Sequence, residues 1–298
     1  MSSYYGRPVL KEPVWKVPDV PAYLYLGGMA GASSSMALLA GLTGRQRLAR
    51  TGRLAAAVGA TASVGALVHD LGRPMRFLNM LRVVKLTSPL SVGSWILAPF
   101  SGLAGAAAAS DVTGLLPVPG RAAGVVAGVL APAMTTYTAV LLADTAVPGW
   151  HEAYRELPFV FAGSAVASAG AVGMVSAPAE SAPARRMAVS GSVLELAASR
   201  RMEGRLGLAA EAYRTGRAGM VLRAARAATA VGAGLALLAG RSRAAGIAAG
   251  ACLTLGSIAT RYGVFEAGRE TARDPRYVVD PQRERLRERE SAGRGEVH

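Results

Sequence analysis

Cysteine is nearly missing from these 298 residues: Cys252 stands alone, inside an apolar segment. A single thiol permits no intramolecular disulfide, no cysteine-ligated iron–sulfur cluster and no cysteine-type zinc site. It reads as a small packing residue. Histidine is almost as scarce, with only His69, His151 and His298. A haem held between helices needs two histidines at similar depth. Two of these lie at the ends of apolar segments and the third is the last residue, so haem is disfavoured. Any redox role must then borrow its electrons from a partner. Charge is thin too, at 17% of residues against about a quarter in soluble domains. Residues 1–19 contain three prolines and no apolar core, so no cleavable leader is expected there.

What is present is 51% hydrophobic residues, 36 glycines and a net charge of +14. Positive mean hydropathy and a large positive charge conflict in a soluble protein. They agree in a membrane protein whose arginines sit in loops. Small residues let membrane helices approach closely where no hydrophobic effect drives them together. A span needs about 20 apolar residues. Pro21–Leu42, Gly52–Val68, Leu90–Ser110, Ala122–Ala146, Leu157–Ala177, Met187–Ser199, Gly219–Ala239 and Ala244–Thr260 meet this well enough to predict eight helices. Met187–Ser199 is the weakest, being short and holding Glu195. Irregular backbone cannot face lipid, so the fold class is all-α, an integral membrane helical bundle.

Eight crossings put both termini on one side. Of the 33 Lys and Arg, nine fall on the opposite side, fifteen on the termini side before Arg261, and nine from Arg261 onward. The excess on the termini side predicts cytoplasmic termini. Beyond Tyr262 the chain alternates Arg with Glu or Asp, as in Arg287-Glu288-Arg289-Glu290, which reads as a solvated helix or coil. The acids offset much of that charge, and nucleic-acid binding is not expected.

Between the second and third spans lies a cationic elbow, HDLGRPMRFLNMLRVVKLTSP, running from His69 to Pro89. It reads as a membrane edge where a soluble partner docks and a polar ligand enters. Asp70 can accept hydrogen bonds from Arg73 or from backbone at the helix break. His69 is a candidate proton exchanger, since an imidazole trades protons readily near neutral pH. The competing reading makes both residues an interfacial cap. Arg73, Arg76, Arg82 and Lys85 suit an acidic partner or lipid headgroups. Tyr137 lies about nine residues inside its span, roughly 13 Å deep, as a donor to a carbonyl or as a packed tyrosine. Glu195 is the one acid well inside a span, and an intramembrane carboxylate is a functional candidate by default. Asp111 and Asp144 lie nearer span ends and rank below it. Gly27, Gly28 and Gly31 are a helix contact and not a nucleotide loop, because no strand precedes them.

HDLGRP-x-RF-x-NMLRV, then SPLSVGSWIL, resembles the NrfD/PsrC family, the membrane subunits of polysulphide-reductase-type molybdenum or tungsten oxidoreductases. Tyr137–Leu142, a Pro-Trp loop and Glu156-Leu157-Pro158-Phe159 are similar to that family's fourth helix and the approach to its fifth. The likeness covers about the first 180 residues; beyond it only the number of spans and Glu195 correspond. It implies two four-helix bundles: a first at 21–146 with the amphipathic elbow at 70–88, a second at 147–265, an N-terminal surface segment at 1–20 and a charged tail at 266–298. It also implies a chain without haem or metal of its own. Such a chain takes menaquinone or ubiquinone as substrate and docks a ferredoxin-like iron–sulfur subunit, with a molybdopterin enzyme such as formate dehydrogenase beyond. A tyrosine on the fourth helix faces quinone in the family, which points to Tyr137. The asparagine and histidine that some members carry on the first helix are replaced here by Tyr23 and Tyr25, as substitutes or as an aromatic belt. The rival reading is an ion- or proton-translocating subunit, or a transporter, built on Glu195.

Overall fold

The computed structural model describes residues 9–72 and 75–295, without the side chains at 76–78, 285–286 and 288–295. Every element among them is helical. Eight long helices carry the fold: α1 (Asp19–Leu42), α2 (Gln46–Leu71), α4 (Pro89–Thr113), α5 (Pro117–Ala143), α7 (Leu157–Ser176), α8 (Ala182–Arg205), α10 (Gly216–Leu238) and α11 (Arg243–Arg273). Short helices α3 (Met75–Met80), α6 (Pro148–His151) and α9 (Ala210–Arg214) lie in the connections, and α12 (Arg276–Gly295) forms the tail.

Six of these, α2, α4, α5, α7, α10 and α11, are long and apolar enough to cross a membrane. The sequence predicts eight such helices; α1 and α8 fall outside the six. The reasons differ: α1 carries small polar residues among its neighbours, and α8 carries charge at both ends. A helix enclosed by other helices has no lipid to satisfy and can carry small polar residues. Helix α1 buries Ser33 and Ser34 and packs on α2, α5, α7 and α11. Helix α8 runs from 182 to 205 rather than 187 to 199, because its Arg-rich ends remain helical beyond the apolar middle. Helices α1, α2, α4 and α5 pack around one another, as do α7, α8, α10 and α11, and α1 and α5 join the two groups by lying on α7.

The helices touch through glycine and alanine. A Cβ on Gly191 of α8 would stand 2.5 Å from the backbone nitrogen of Ala167 in α7 and 2.7 Å from the carbonyl oxygen of Gly163. Such backbone-to-backbone approach is how helices associate where lipid is as apolar as the side chains.

The N-terminal segment crosses the face formed by the elbow, α6 and the C-terminal end of α11. Trp15 stacks on Trp150 (ring centroids 5.4 Å) and Phe265 (6.4 Å), and the Trp150 indole N–H donates to the Val264 carbonyl at 2.8 Å. Glu12 receives Arg273 Nη2 at 2.6 Å and Arg269 Nη2 at 2.8 Å. The strap thus ties residues 12–16 to the C-terminal ends of α2 and α11 and to α6. The Arg273 guanidinium, then that of Arg269, pulls the Glu12 carboxyl below its ordinary value. A depressed carboxyl stabilises the folded form above its unfolded pKa, and that contribution is lost as pH falls through the lower folded value. Hydrogen exchange at residues 9–18, corrected for intrinsic rate, should therefore accelerate below about pH 4. Glu12→Gln should give the fast exchange already at neutral pH. Protection unchanged in both cases would show that Trp15 alone holds the strap.

Candidate functional site

At the strap end of the first four helices, Tyr23 on α1 and Tyr137 on α5 meet. Their hydroxyls lie 2.5 Å apart, their rings cross edge-on at 74°, and both side chains are buried. The site depends on helix rotation. Pro117 begins α5 and Tyr137 comes twenty residues later, facing inward across α4. Gly93 on α4 leaves the ring its space: a Cβ there would come within 2.8 Å of Tyr137 Cε2. Ser63 of α2 donates to the Tyr23 carbonyl oxygen at 3.3 Å. Two hydroxyls hold two hydrogens and spend one on each other, so the pair keeps one O–H for a third group.

One helical turn out from Tyr23, about 6 Å of rise, sits Asp19. Its carboxylate accepts from His69 Nδ1 at 2.7 Å. The His69 ring is otherwise exposed, while Asp19 is largely covered. Asp70 accepts at 2.9 Å from the backbone N–H of Lys16. Among the described residues the partner of Asp70 is strap backbone; Arg73, with Pro74, lies outside them. Gly72 ends α2 in the left-handed region at φ +67° and returns its N–H to the His69 carbonyl, which only glycine does without strain.

The structure joins Tyr23 with Tyr137 and His69 with Asp19; it does not set His69 or Asp70 on the Tyr137 hydroxyl. Tyr25, two residues beyond Tyr23, points away from it and lies beside Ser168 and Thr254. Arg82 and Lys85 are exposed on the elbow, and the Arg76 side chain lies outside the described set. Asp111 pairs with Arg53 at the opposite end. Near the termini face, Glu156 accepts from Arg205 Nη2 at 2.6 Å, and that guanidinium lowers the carboxyl's pKa.

Glu195 is buried between α8 and α11. Its Oε1 accepts from the Thr260 hydroxyl at 2.6 Å; its Oε2 has no hydrogen-bond partner, and the nearby Thr229 hydroxyl is also unpartnered. Beside it lies Arg261, fully buried. The guanidinium covers the Phe161 ring at 3.8 Å and donates Nη2 to the Phe161 carbonyl at 2.7 Å, leaving Nε and Nη1 unpartnered. Sequence reasoning counts Arg261 with the tail cations, because the apolar run stops at Thr260. The signal that reveals it is the next stretch of chain: Tyr262-Gly263-Val264-Phe265 continues the packed face, so the helix does not end at Thr260. Among the described residues, no three His, Cys, Asp or Glu side chains cluster to hold a metal ion.

The protein family described as "Polysulphide reductase, NrfD" matches residues 9–179, more than half of the chain. This chain belongs to the NrfD family. The match takes in the strap, the elbow, both tyrosines and α7, and stops before Glu195 and Arg261. No curated protein matches the chain. As an NrfD protein it is a multi-pass membrane subunit of a quinone-linked oxidoreductase complex. NrfD proteins assemble with iron–sulfur and molybdopterin subunits in a lipid bilayer.

Proposed function

We propose that this NrfD subunit passes electrons between a ferredoxin-like iron–sulfur subunit and membrane quinone, and that Tyr23 and Tyr137 form the quinone-contacting pair. The observation that carries the reading is the buried pair of hydroxyls, with one hydrogen unspent, at the end of the first four helices. Quinone reduction adds two electrons and two protons. Charge builds on the carbonyl oxygens, so a positioned O–H stabilises the reduced form more than the oxidised one. The chain's own residues bind and orient: the Tyr23–Tyr137 pair donates its one free O–H, Gly93 sets the ring, and His69 with Asp19 trades a proton at the exposed rim. Asp70 holds the strap that covers this end, and Tyr25 belongs to the contact between the two helix groups. The partner docks on the elbow through Arg73, Arg76, Arg82 and Lys85, with a molybdopterin enzyme such as formate dehydrogenase behind it. Both four-helix groups span the membrane, α1 and α8 included, with the termini in the cytoplasm. Reporter fusions at either end test the orientation. The deciding experiment is quinone-linked turnover of the assembled complex carrying Tyr23→Phe or Tyr137→Phe, which should fall in both.

A second role rests on a separate observation, the buried atoms of Glu195 and Arg261 that lack partners. Buried polar groups normally find one, and an ionisable residue inside a membrane is a candidate for an ion or proton pathway by default. Glu195→Gln keeps the size and the Thr260 contact but removes the acid. Turnover should persist while proton release by the complex in sealed vesicles falls at least severalfold. Unchanged proton release would make Glu195 a structural brace.

A further inference from the structure

At the end of the first four helices away from the tyrosines, α1, α2, α4 and α5 splay around a half-open cavity of about 640 Å³. Its polar rim holds Arg53, Asp111, Arg121 and Gln46; its wall is aliphatic, through Leu38 and Val125. Arg53 grips Asp111 with two nitrogens, Nε at close range and Nη2 at 3.1 Å. That pair is neutral and half-buried about two turns along α2. Arg121 spends only Nε, on the Pro117 carbonyl at 3.2 Å, and is otherwise exposed at the rim. Arg45, Arg47 and Arg50 follow one another around the first turns of α2 just outside, where the Glu180 carboxylate, accepting from the Leu48 N–H at 2.9 Å, is one acid against three guanidiniums. The rim is therefore cationic, and the wall beneath it continues into the lipid-facing surface of α1 and α5, where Leu42 and Val125 stand exposed.

We infer that this mouth is a binding site for one anionic phospholipid, with its phosphate between Arg121 and Arg53 and an acyl chain along Leu38 and Val125. A neutral quinone head has no use for an opening with net positive charge. A soluble protein has no use for an aliphatic wall that opens sideways into the bilayer. Cationic pockets between membrane helices at headgroup level select anionic lipids, each basic residue adding about a kilocalorie per mole. Removing one such charge should weaken binding about fivefold.

The test uses the whole complex purified in mild detergent, titrated with phosphatidylglycerol and with phosphatidylcholine, and weighed by native mass spectrometry. The parent should retain one phosphatidylglycerol in preference to phosphatidylcholine. Arg121→Gln should lower that retention about fivefold. Gly41 lines the cavity, and a Cβ there meets only the Ala49 methyl at 4.0 Å. Gly41→Leu should therefore fill the mouth and abolish retention, with melting temperature and quinone-linked turnover unchanged. Equal retention of both lipids, displacement by inorganic phosphate alone, or parental binding in both variants would overturn the proposal.

Discussion

Tyr137→Phe should slow quinone-linked turnover of the assembled complex at least tenfold, and Tyr23→Phe should do nearly the same. The two hydroxyls act as one donor, because each fixes the direction of the other at 2.5 Å. Removing either leaves a lone buried O–H free to rotate, or turned to a backbone carbonyl. Loss of a single preorganised donor typically costs about 3 kcal/mol of differential stabilisation, roughly a hundredfold in rate. Tenfold is the lower bound, since the surviving phenol retains part of the function. Gly93→Ala is the geometric control. It removes no hydroxyl, but its Cβ would sit 2.8 Å from Tyr137 Cε2 and push the ring off its partner, so turnover should fall with both phenols intact. His69→Ala should be milder, a severalfold effect, because His69 sits at the exposed rim and meets Asp19 rather than the phenols. Electron transfer from the donor to an artificial acceptor at the soluble partner should survive in all four, since that path ends before this subunit. Co-purification of the partners separates lost chemistry from lost docking. Parental quinone rates in assembled Tyr23 and Tyr137 variants would move the quinone site elsewhere.

Gly191→Leu should abolish assembly altogether. A Cβ there meets backbone, with the Ala167 nitrogen at 2.5 Å, the Gly163 carbonyl oxygen at 2.7 Å and the Val166 carbonyl carbon at 3.0 Å. None of these moves unless α7 and α8 part. Overpacking within a core usually costs about 1–3 kcal/mol through side-chain adjustment; here no side chain can adjust, so the penalty exceeds that range. Separation also draws away Glu195, one turn further along α8, and breaks its bond to Thr260. Arg261, buried beside it, then loses the nearby carboxylate as well. Gly105→Leu on α4 is the matched control, because nothing lies within 4 Å of its Cβ and lipid accepts the new side chain. Size-exclusion profiles and subunit stoichiometry after mild solubilisation give the readout. A Gly191→Leu complex with parental yield and profile would show that the α7–α8 contact yields more easily than its geometry indicates.

Much of this protein was determined by sequence alone, because it comes from rules that act locally along the chain. Apolar run length sets the crossing helices, the glycines and alanines set close packing, and Gly72 closes α2. The elbow motif and Tyr137 carry the family resemblance that the match over 9–179 shows. What only the tertiary structure decided is which side chains meet. Hydropathy does not state the rotation of a helix about its own axis, and one residue's difference turns a side chain by about 100°. Tyr23 and Tyr25 look equivalent in sequence, yet one meets Tyr137 and the other turns to Ser168 and Thr254. Asp70 reads as an acceptor for Arg73 or for backbone at the helix break, and the backbone it meets is that of Lys16, far away in sequence, because the strap folds back over this end. Helix α1 falls outside the six apolar spans because most of it packs on α2, α5, α7 and α11, where Ser33 and Ser34 can be buried against protein. Arg261 reads as the first cation past a span, and it lies fully buried because the folded helix continues to Arg273, carrying the charge inward to Phe161 and Glu195.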